Sequence, residues 1–484
     1  MRRSRKQQCS EVLRSTFGVS SFRPGQEQAA DALLDRRDLL CILPTGAGKS
    51  LCWQLPAVMM GGLTIVISPL IVLMHDQVRH LRDKGIPSVH LDSLMTDEER
   101  AAGLRQLQSG RARILFLAPE RLNHPEIRRL CQQRAPAMLV VDEAHCVVQW
   151  GEAFRPAYQQ IGQFAASLPR RPVICAMTAT ADEQLQRGII QSLGLRRPKR
   201  IVMPVERPNL HYSVLPTMHV NEAIVHALRK ISGKAVVFCR LRKRTEALAA
   251  QLNAVGIPAA AYHAGLDREA RNRVLRDYTA GRIRVVTATS AFGMGVDIPD
   301  IHLILHDHLP TSMIDYVQQA GRAGRDGQTA YCLLLFSPTD LLRFHTHCRQ
   351  IHASHPHRPL LCRRLIQQQW QPYRRVLRFC LQEQCLSQGI SAAFGQRSAP
   401  CGHCSACRSG AIGKSVPNLP RMSAQALHGW ILQLHRDELR RRYPHQVQAT
   451  DDELRQIAQT GALPDNLPAR ETYLPYLRAF QAYQ

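Results

Sequence analysis

Short apolar segments alternate with amphipathic stretches along most of the first 340 residues. The segments are rich in Val, Ile and Leu, which predicts strands buried on both faces of a parallel sheet, and the stretches between them have the spacing of crossover helices. The predicted strands of the first half are 39–43, 64–68, 114–118, 138–141 and 173–177. Those of the second half are 234–239, 259–262, 285–288, 303–306 and 330–335. The pattern therefore predicts an α/β fold with two tandem lobes, each built on a parallel sheet.

Prolines and a shift in composition divide the chain. Pro204 and Pro208 bracket a predicted hinge, so we expect one lobe at residues 1–205 and a second at 206–340. Residues 346–410 contain nine Arg, no Lys and one acidic residue, and we expect a small helical subdomain at 341–410. The remaining segment, 411–484, has the apolar spacing of a short helical tail.

Charge and composition limit the class of protein. Lys and Arg number 63 against 38 Asp and Glu, a formal net charge of +25, which favours a polyanionic partner, most simply nucleic acid. The sequence contains no run of about eighteen apolar residues, so no membrane span is predicted. The basic N-terminus is not followed by an apolar stretch, so we expect no signal peptide. Most of the 15 cysteines are solitary, which favours a reducing cytoplasm.

A glycine-containing segment, Leu-Pro-Thr-Gly-Ala-Gly-Lys-Ser at 43–50, follows a predicted strand and precedes a predicted helix. Its glycines let backbone N–H groups converge on an anion at the positive end of the helix, as in a phosphate-binding loop. We expect Lys49 to reach the β- and γ-phosphates of ATP and Ser50 to hold Mg²⁺. The candidate nucleotide-binding residues of the loop are Thr45, Gly46, Gly48, Lys49 and Ser50. Leu43 replaces the usual first glycine, a variant similar to that of superfamily-two helicases.

An acidic motif, Asp-Glu-Ala-His at 142–145, directly follows the predicted strand 138–141. A carboxylate at the end of a strand near the phosphate loop is placed to hold Mg²⁺, and Asp142 has this position. Glu143 is placed to polarise the attacking water as a general base. We expect His145 to couple the nucleotide to the nucleic-acid side.

The second predicted lobe contains a motif with two arginines at 316–327. Phosphoryl transfer spreads negative charge over the γ-phosphate oxygens, and an arginine from a second lobe stabilises that charge only when the cleft closes. Arg325 is the predicted arginine finger, with Arg322 beside it and Gln318 near the water. These residues complete the predicted catalytic set.

Together these motifs resemble the RecQ family of DNA helicases, and the resemblance extends over about residues 10–408. It implies two RecA-like lobes, a zinc-binding subdomain and ATP-dependent unwinding of DNA, with 3′-to-5′ polarity and a role in recombination and repair. Arg23 and Gln26 match the adenine-recognition motif of the family. The amide of Gln26 offers the paired donor and acceptor that an adenine edge requires.

The segment at 146–158 resembles the aromatic-rich loop of RecQ helicases. Trp150 and Phe154 are of the type that stacks on unpaired bases, and Arg155 can contact phosphate or signal to the nucleotide. We therefore expect these three residues to bind single-stranded DNA, with duplex DNA as a further partner of the protein.

Cys401, Cys404 and Cys407 form two overlapping CxxC turns, a spacing typical of a tetrahedral Zn²⁺ site. The fourth ligand must come from elsewhere, and Cys380, Cys385 and His403 are the candidates. The RecQ resemblance favours Cys385, because the stretch that begins there aligns with the family's Cys…Phe-Gly segment.

Two other functions fit parts of the pattern. RecQ helicases often carry a winged-helix domain after the zinc module, whereas about 74 residues follow here without a clear winged-helix pattern. A DNA-stimulated ATPase that translocates with weak strand separation is therefore one alternative. A nucleotide-gated DNA-binding scaffold is another, and Lys49, Glu143 and Arg325 argue against it because each serves hydrolysis.

Overall fold

The computed structural model describes residues 4–408 except 70, 93–94, 150–155, 218, 294–297, 338–339, 341–346, 348–349, 352 and 383. Beyond residue 408 it describes 432–433, 436, 445, 447–460, 462–471 and 473–474. Two parallel sheets with flanking helices account for most of these residues, so the predicted fold class is confirmed. The exact domain limits drawn from the sequence stay predictions.

Seven parallel strands form the sheet of the first lobe, in the order β3-β4-β2-β5-β6-β1-β7. They are β1 (Leu39–Ile42), β2 (Leu63–Ile67), β3 (Ser88–Leu91), β4 (Ile114–Leu117), β5 (Pro136–Val141), β6 (Val173–Thr178) and β7 (Lys199–Val202). The helices are α1 (Arg5–Ser15), α2 (Gln26–Leu34), α3 (Lys49–Met60), α4 (Ile71–Asp83), α5 (Asp97–Gln108), α6 (Pro125–Gln133), α7 (Cys146–Gln149), α8 (Gln160–Ser167) and α9 (Glu183–Leu193). Every residue of β1, β2 and β4 is buried, because helices cover both faces of the sheet.

Six parallel strands form the second sheet, in the order β10-β11-β9-β12-β13-β8. They are β8 (Leu210–Pro216), β9 (Lys234–Phe238), β10 (Ala259–Tyr262), β11 (Val285–Ala288), β12 (Ile301–His306) and β13 (Ala330–Phe336). The helices are α10 (Val220–Lys230), α11 (Arg242–Ala254), α12 (Arg268–Thr279) and α13 (Met313–Ala320). Side-chain caps mark two of the helix starts: Asp267 accepts from Ala270 N, and Ser312 accepts from Asp315 N.

A long helix, Pro359–Leu381, and a short one, Leu386–Ala393, pack against the second lobe. Tyr373 donates its hydroxyl to the carbonyl of Asp340 at 3.0 Å. Arg375, on the same long helix, forms a 2.8 Å ion pair with Asp182 of the first lobe. This segment therefore contacts both lobes, and helix Asp451–Thr460 adds apolar side chains to the same core.

Among the described residues, no helix combines the length and the apolar composition needed to cross a bilayer.

Close packing of α8 against α9 makes a test of the first lobe possible. A methyl group at Gly162 would lie 2.3 Å from the carbonyl oxygen of Ser192. We expect Gly162→Ala to lower the free energy of unfolding by about 1–3 kcal/mol, because the two helices must move apart. This loss should appear although Ala is otherwise better than Gly in a helix by about 0.5–1 kcal/mol. The shift in the urea or thermal midpoint measures it.

Gln163→Ala is the matched control, since Gln163 lies exposed on the same helix. That variant should unfold at the midpoint of the unaltered protein. Equal midpoints for both variants would contradict the close approach of the two helices.

Candidate nucleotide site and metal centre

Two glycines curl the loop between β1 and α3. Gly46 has φ 83° and Gly48 has φ 76°, a region of backbone conformation that favours glycine. Gly48 is also the N-cap of α3, which begins at Lys49. A side chain at residue 48 would lie 2.6 Å from Gln26 Nε2. The positive end of α3 therefore borders a tight loop of the kind that binds phosphate.

Gln26 and Arg23 contact this loop through its carbonyl groups. Gln26 is buried, and its Nε2 donates to the carbonyls of Ala47 at 3.1 Å and Gly48 at 3.0 Å. Arg23 Nη1 donates to the carbonyl of Gly46 at 2.7 Å. Both residues of the predicted adenine motif thus lie beside the phosphate loop, and their contact with adenine stays a prediction.

The acidic motif follows β5, which is separated from β1 only by β6. Lys49 Nζ lies 4.0 Å from Glu143 Oε1, so the two motifs meet at the carboxyl end of the sheet. His145 is buried, with its Nδ1 3.3 Å from Glu143 Oε2 and 3.1 Å from Thr178 Oγ1. Since Thr178 ends β6, His145 joins the acidic motif to the neighbouring strand.

The charges around the acidic motif give its two carboxyl groups different pKa values. Burial, and then the nearby Glu143, raises the pKa of Asp142 above its usual range. Burial would also raise the pKa of Glu143, but Lys49 and His145 outweigh burial and lower it. Glu143 is therefore ionised at neutral pH, the state that a general base needs.

The second lobe brings its arginine motif against the phosphate loop. A side chain at Gly46 would lie 3.4 Å from Arg325 Cγ. Arg325, Arg322 and Gln318 line the same cleft as Lys49, and the cleft has a volume of about 700 Å³. Gln318 Nε2 is buried there, without a hydrogen-bond partner among the described residues. A donor in that state fits a site that receives a polar ligand.

Arg207, in the predicted hinge, is a residue that the sequence reasoning missed. Its Nη1 donates to the carbonyl of Gly321 at 3.0 Å and lies 3.5 Å from the carbonyl of Thr45. Its Nη2 donates to the carbonyl of Gly324 at 2.6 Å. Arg207 thus ties the arginine motif to the hinge beside the phosphate loop. The only feature of the sequence that could have indicated its role is its position between the two hinge prolines, Pro204 and Pro208.

Ser50 and Asp142 line the same cleft, and their oxygen atoms are of the type that Mg²⁺ prefers. Their candidacy as magnesium ligands therefore fits the donor chemistry. The predicted DNA-binding residues Trp150, Phe154 and Arg155 lie outside the described residues.

Four cysteine sulfurs meet beside the second lobe. Cys385, Cys401, Cys404 and Cys407 each offer an Sγ within 4.8 Å of the other three. Cys385 Sγ lies 3.5 Å from Cys401 Sγ and 3.9 Å from Cys404 Sγ. A tetrahedral zinc with Zn–S bonds of about 2.3 Å requires sulfurs about 3.8 Å apart, so this donor set fits Zn²⁺.

Backbone donors contact the sulfurs, but the thiols differ in pKa: burial and the neighbouring thiols raise the pKa of Cys404 and Cys407, whereas that of Cys401 is lowered. Leu386 N donates to Cys404 Sγ, and Cys401 N donates to Cys385 Sγ, both at 3.3 Å. Burial opposes ionisation of Cys401, but the Ser387 hydroxyl and neighbouring N–H groups outweigh it and lower the pKa of this thiol.

The other candidates for the fourth ligand lie apart from this cluster. Cys380 is buried in the apolar core of the second lobe. His403 directs its Nε2 to the carbonyl of Leu210 at 3.3 Å and stacks on His211, with ring centroids 4.5 Å apart. The structure therefore brings Cys385, rather than either of these, to the three clustered cysteines.

Both lobes of this chain are similar to known helicase domains. A DEAD/DEAH box helicase model matches residues 23–187, and a helicase conserved C-terminal domain model matches residues 219–327. The ATP-dependent DNA helicase RecQ of Synechocystis sp. is 39% identical over 347 residues, which cover 70% of this chain and 73% of that protein. This chain belongs to the RecQ helicase family. The RecQ resemblance drawn from its motifs is thus confirmed.

A second relative shows how much of a RecQ protein this chain spans. The ATP-dependent DNA helicase RecQ of Haemophilus influenzae is 36% identical over 398 residues, 82% of this chain and 63% of the relative. The chain therefore spans less than two thirds of that protein's length. The structure of the helicase MrfA bound to DNA aligns with a TM-score of 0.57 at 20% identity, covering 72% of this chain and 52% of MrfA. At that identity the likeness shows the fold alone.

The cysteine geometry predicts which substitution releases zinc from this RecQ-family chain. We expect Cys385→Ser to lose one zinc per chain, because a serine hydroxyl is a poor replacement for one of four converging thiolates. Loss of the ion should also leave residues 385–408 sensitive to protease, since metal binding is coupled to local folding. Metal analysis of the purified protein measures the first effect, and limited proteolysis measures the second.

Cys380→Ser is the control, because Cys380 is a buried thiol outside the cluster. It should keep its full zinc content even if burial of the hydroxyl lowers stability. Zinc lost from Cys380→Ser but kept by Cys385→Ser would refute the assignment.

Proposed function

We propose that this RecQ-family chain is an ATP-dependent DNA helicase that couples ATP hydrolysis to translocation on single-stranded DNA and to duplex unwinding. The observation that carries the proposal is one cleft lined by Lys49 and Glu143 from the first lobe and by Arg325 from the second. Hydrolysis of ATP needs a phosphate-binding group, a general base and a stabiliser of the transition-state charge in one place. A DNA-binding scaffold without turnover would not need them together.

In this proposal the phosphate loop binds the triphosphate through its N–H groups and Lys49. Ser50 and Asp142 would hold Mg²⁺, which neutralises phosphate charge when bound. Glu143 accepts a proton from the attacking water, and Gln318 orients that water. Arg325, with Arg322 beside it, stabilises the charge on the transferred phosphoryl group. Arg23 and Gln26 would select the adenine.

Hydrolysis can drive movement because the phosphate loop and the arginines belong to different lobes. Nucleotide binding draws the lobes together, and hydrolysis releases them about the hinge at 204–209. Each cycle then shifts the grip of the two lobes on a single strand, with Trp150, Phe154 and Arg155 binding the unpaired bases and phosphates. His145, within reach of both Glu143 and Thr178, is positioned to report the state of the nucleotide.

The family resemblance supports the finer features of this proposal. We infer 3′-to-5′ polarity, a role in recombination and repair, and a place of action in the bacterial cytoplasm or nucleoid. The Cys385, Cys401, Cys404 and Cys407 cluster would hold Zn²⁺ and so order an arginine-rich segment that faces duplex DNA. Exposed arginines such as Arg363 and Arg364 supply positive charge for phosphate contacts.

A strand-displacement assay with tailed duplexes tests the proposal. We expect ATP-dependent unwinding of a duplex with a 3′ tail and little of one with a 5′ tail. Glu143→Gln should lower turnover of ATP by about 100- to 10,000-fold, the range for a lost general base, and abolish unwinding while ATP and DNA still bind. Release of phosphate and of the displaced strand are the two measurements.

Glu183→Gln is the matched control, because Glu183 is an exposed carboxylate of the same lobe, paired with Arg187 at 3.1 Å. It should unwind DNA at the normal rate. Normal ATP turnover in Glu143→Gln would contradict the general-base role. ATP turnover stimulated by single strands without displacement of either tailed duplex would instead favour a translocase.

Trp150 allows a separate test of coupling. We expect Trp150→Ala to keep the basal ATP turnover but to bind single-stranded DNA about 5- to 150-fold more weakly, the equivalent of the 1–3 kcal/mol of one stacked base. Stimulation of turnover by single strands should fall in parallel. Trp150→Phe keeps an aromatic face and should restore most of the affinity. A loss of basal turnover and stability in both variants would mean that Trp150 packs in a core.

A further inference from the structure

A second cluster of metal-ligating side chains lies in the first lobe, away from the cysteines and the nucleotide cleft. His75 is on α4, His90 is on β3, and Asp92 directly follows that strand. Each offers one ligand atom within 4.8 Å of the other two. The two imidazole rings lie face to face at a tilt, with centroids 4.1 Å apart. Helix and edge strand thus bring two imidazoles and a carboxylate to one point.

Both imidazoles direct Nε2 toward the same carboxylate oxygen. His75 Nε2 lies 2.7 Å from Asp92 Oδ2, a hydrogen-bond distance, whereas His90 Nε2 lies 3.6 Å from it, beyond that range. His90 Nδ1 is buried and has no hydrogen-bond partner among the described residues. His90 Nε2, the nitrogen that faces the carboxylate, therefore approaches Asp92 Oδ2 without a hydrogen bond to it, an arrangement that leaves both atoms able to ligate one ion.

Burial of Asp92 adds a second argument. Its side chain is 0% exposed, and His75 Nε2 at 2.7 Å helps to hold Oδ2 toward both imidazoles. An ion bound by Asp92 Oδ2 and the two imidazoles would place its positive charge beside this buried carboxylate. The ion would also be bound by Nε2 of His90, which is too far from Asp92 Oδ2 for a hydrogen bond.

We propose that His75, His90 and Asp92 form a binding site for a divalent first-row transition-metal ion. Two imidazoles and one carboxylate are the donor set that Zn²⁺, Fe²⁺, Co²⁺ and Mn²⁺ share, and three protein ligands leave positions open for water. The site differs in kind from the cysteine cluster, since nitrogen and oxygen donors replace thiolates. It does not depend on the proposed helicase activity.

A cavity gives an ion access to this site. It has a volume of about 460 Å³ and is lined by the three ligands together with Glu99 and Arg268. Glu99 adds a second carboxylate to the lining, and Arg82 and Arg268 add two positive charges. Because Arg268 begins α12 of the second lobe, the cavity lies where the two lobes approach each other.

Titration of the full chain with Co²⁺ tests the proposal, because the spectrum identifies the ligands. The protein is first given a single equivalent of Zn²⁺ per chain, which the four thiolates take up, and excess Zn²⁺ is removed so that the second site stays open. Co²⁺ is then added while the visible absorption is recorded. We expect one Co²⁺ per chain with the weak bands of nitrogen and oxygen ligation. The intense thiolate-to-cobalt band, which would mark the cysteine cluster, should be absent. Competition by Zn²⁺ and by Mn²⁺ then ranks the ions.

Asp92→Asn removes the carboxylate charge and His90→Gln removes the imidazole nitrogen, while each roughly keeps the size of the side chain. Each should weaken Co²⁺ binding by more than about 100-fold, since loss of an outer-shell partner alone costs about 10- to 100-fold. His80→Ala is the matched control: His80 lies exposed on the same helix as His75, and its removal should leave Co²⁺ binding unchanged. Retained zinc at the cysteine cluster reports that each variant is folded.

Two results would overturn the proposal. One is the absence of any nitrogen- and oxygen-ligated Co²⁺ in the zinc-loaded protein. The other is Co²⁺ binding of equal strength in the unaltered protein, Asp92→Asn and His90→Gln, which would place the ion elsewhere.

Discussion

The nucleotide cleft depends on a close approach between the phosphate loop of the first lobe and the arginine motif, which begins in α13 of the second lobe. A side chain at Gly46 would lie 3.4 Å from Arg325 Cγ, and one at Gly321 would lie 3.2 Å from Thr45 Cβ. Arg207 holds the same region through the carbonyl of Gly321. At these two points a glycine of one lobe faces a side chain of the other, and a larger residue in place of either glycine would hold Arg325 away from a bound phosphate.

The acidic motif concentrates charge and backbone strain at one turn. Glu143 has φ 47°, a left-handed conformation that costs a non-glycine residue about 1–3 kcal/mol and persists only where its surroundings hold it. Two hydrogen bonds do so: Glu143 N donates to Asp142 Oδ1, and Ala144 N donates to the carbonyl of Met177. Lys49, 4.0 Å away, offsets the charge of Glu143. The strained turn thus sets the carboxylate toward the phosphate loop.

The cysteine-containing segment covers the outer edge of β8, which would otherwise be an open edge of the second sheet. β8 pairs with β13 on one side, and its other edge meets residues 403–405. Ser405 N donates to the carbonyl of Tyr212, and Val214 N donates to Ser405 Oγ. An open strand edge would otherwise be free to pair with another chain. The cysteine-containing segment therefore also shields this edge of the second lobe. Arg375, on the long helix before it, forms an ion pair with Asp182 of the first lobe.

Local sequence pattern was enough for the ten strands that lie mainly inside the two sheets, and for the phosphate loop and the charged motifs at their ends. It missed β3, β7 and β8, three of the four edge strands, because polar residues interrupt their short apolar runs, whereas the fourth edge strand, β10, is apolar throughout and was predicted. Cysteine spacing left Cys380, Cys385 and His403 open as the fourth ligand, and the RecQ resemblance favoured Cys385. Tertiary structure brought Cys385 to the other three cysteines, placed Arg207 between the two lobes, and brought His75 and His90 to Asp92. The physical reason is that a sequence pattern describes only residues close together in the chain. Periodicity records which face of one segment is buried, whereas a ligand set or an inter-lobe contact depends on distances between segments far apart in the chain.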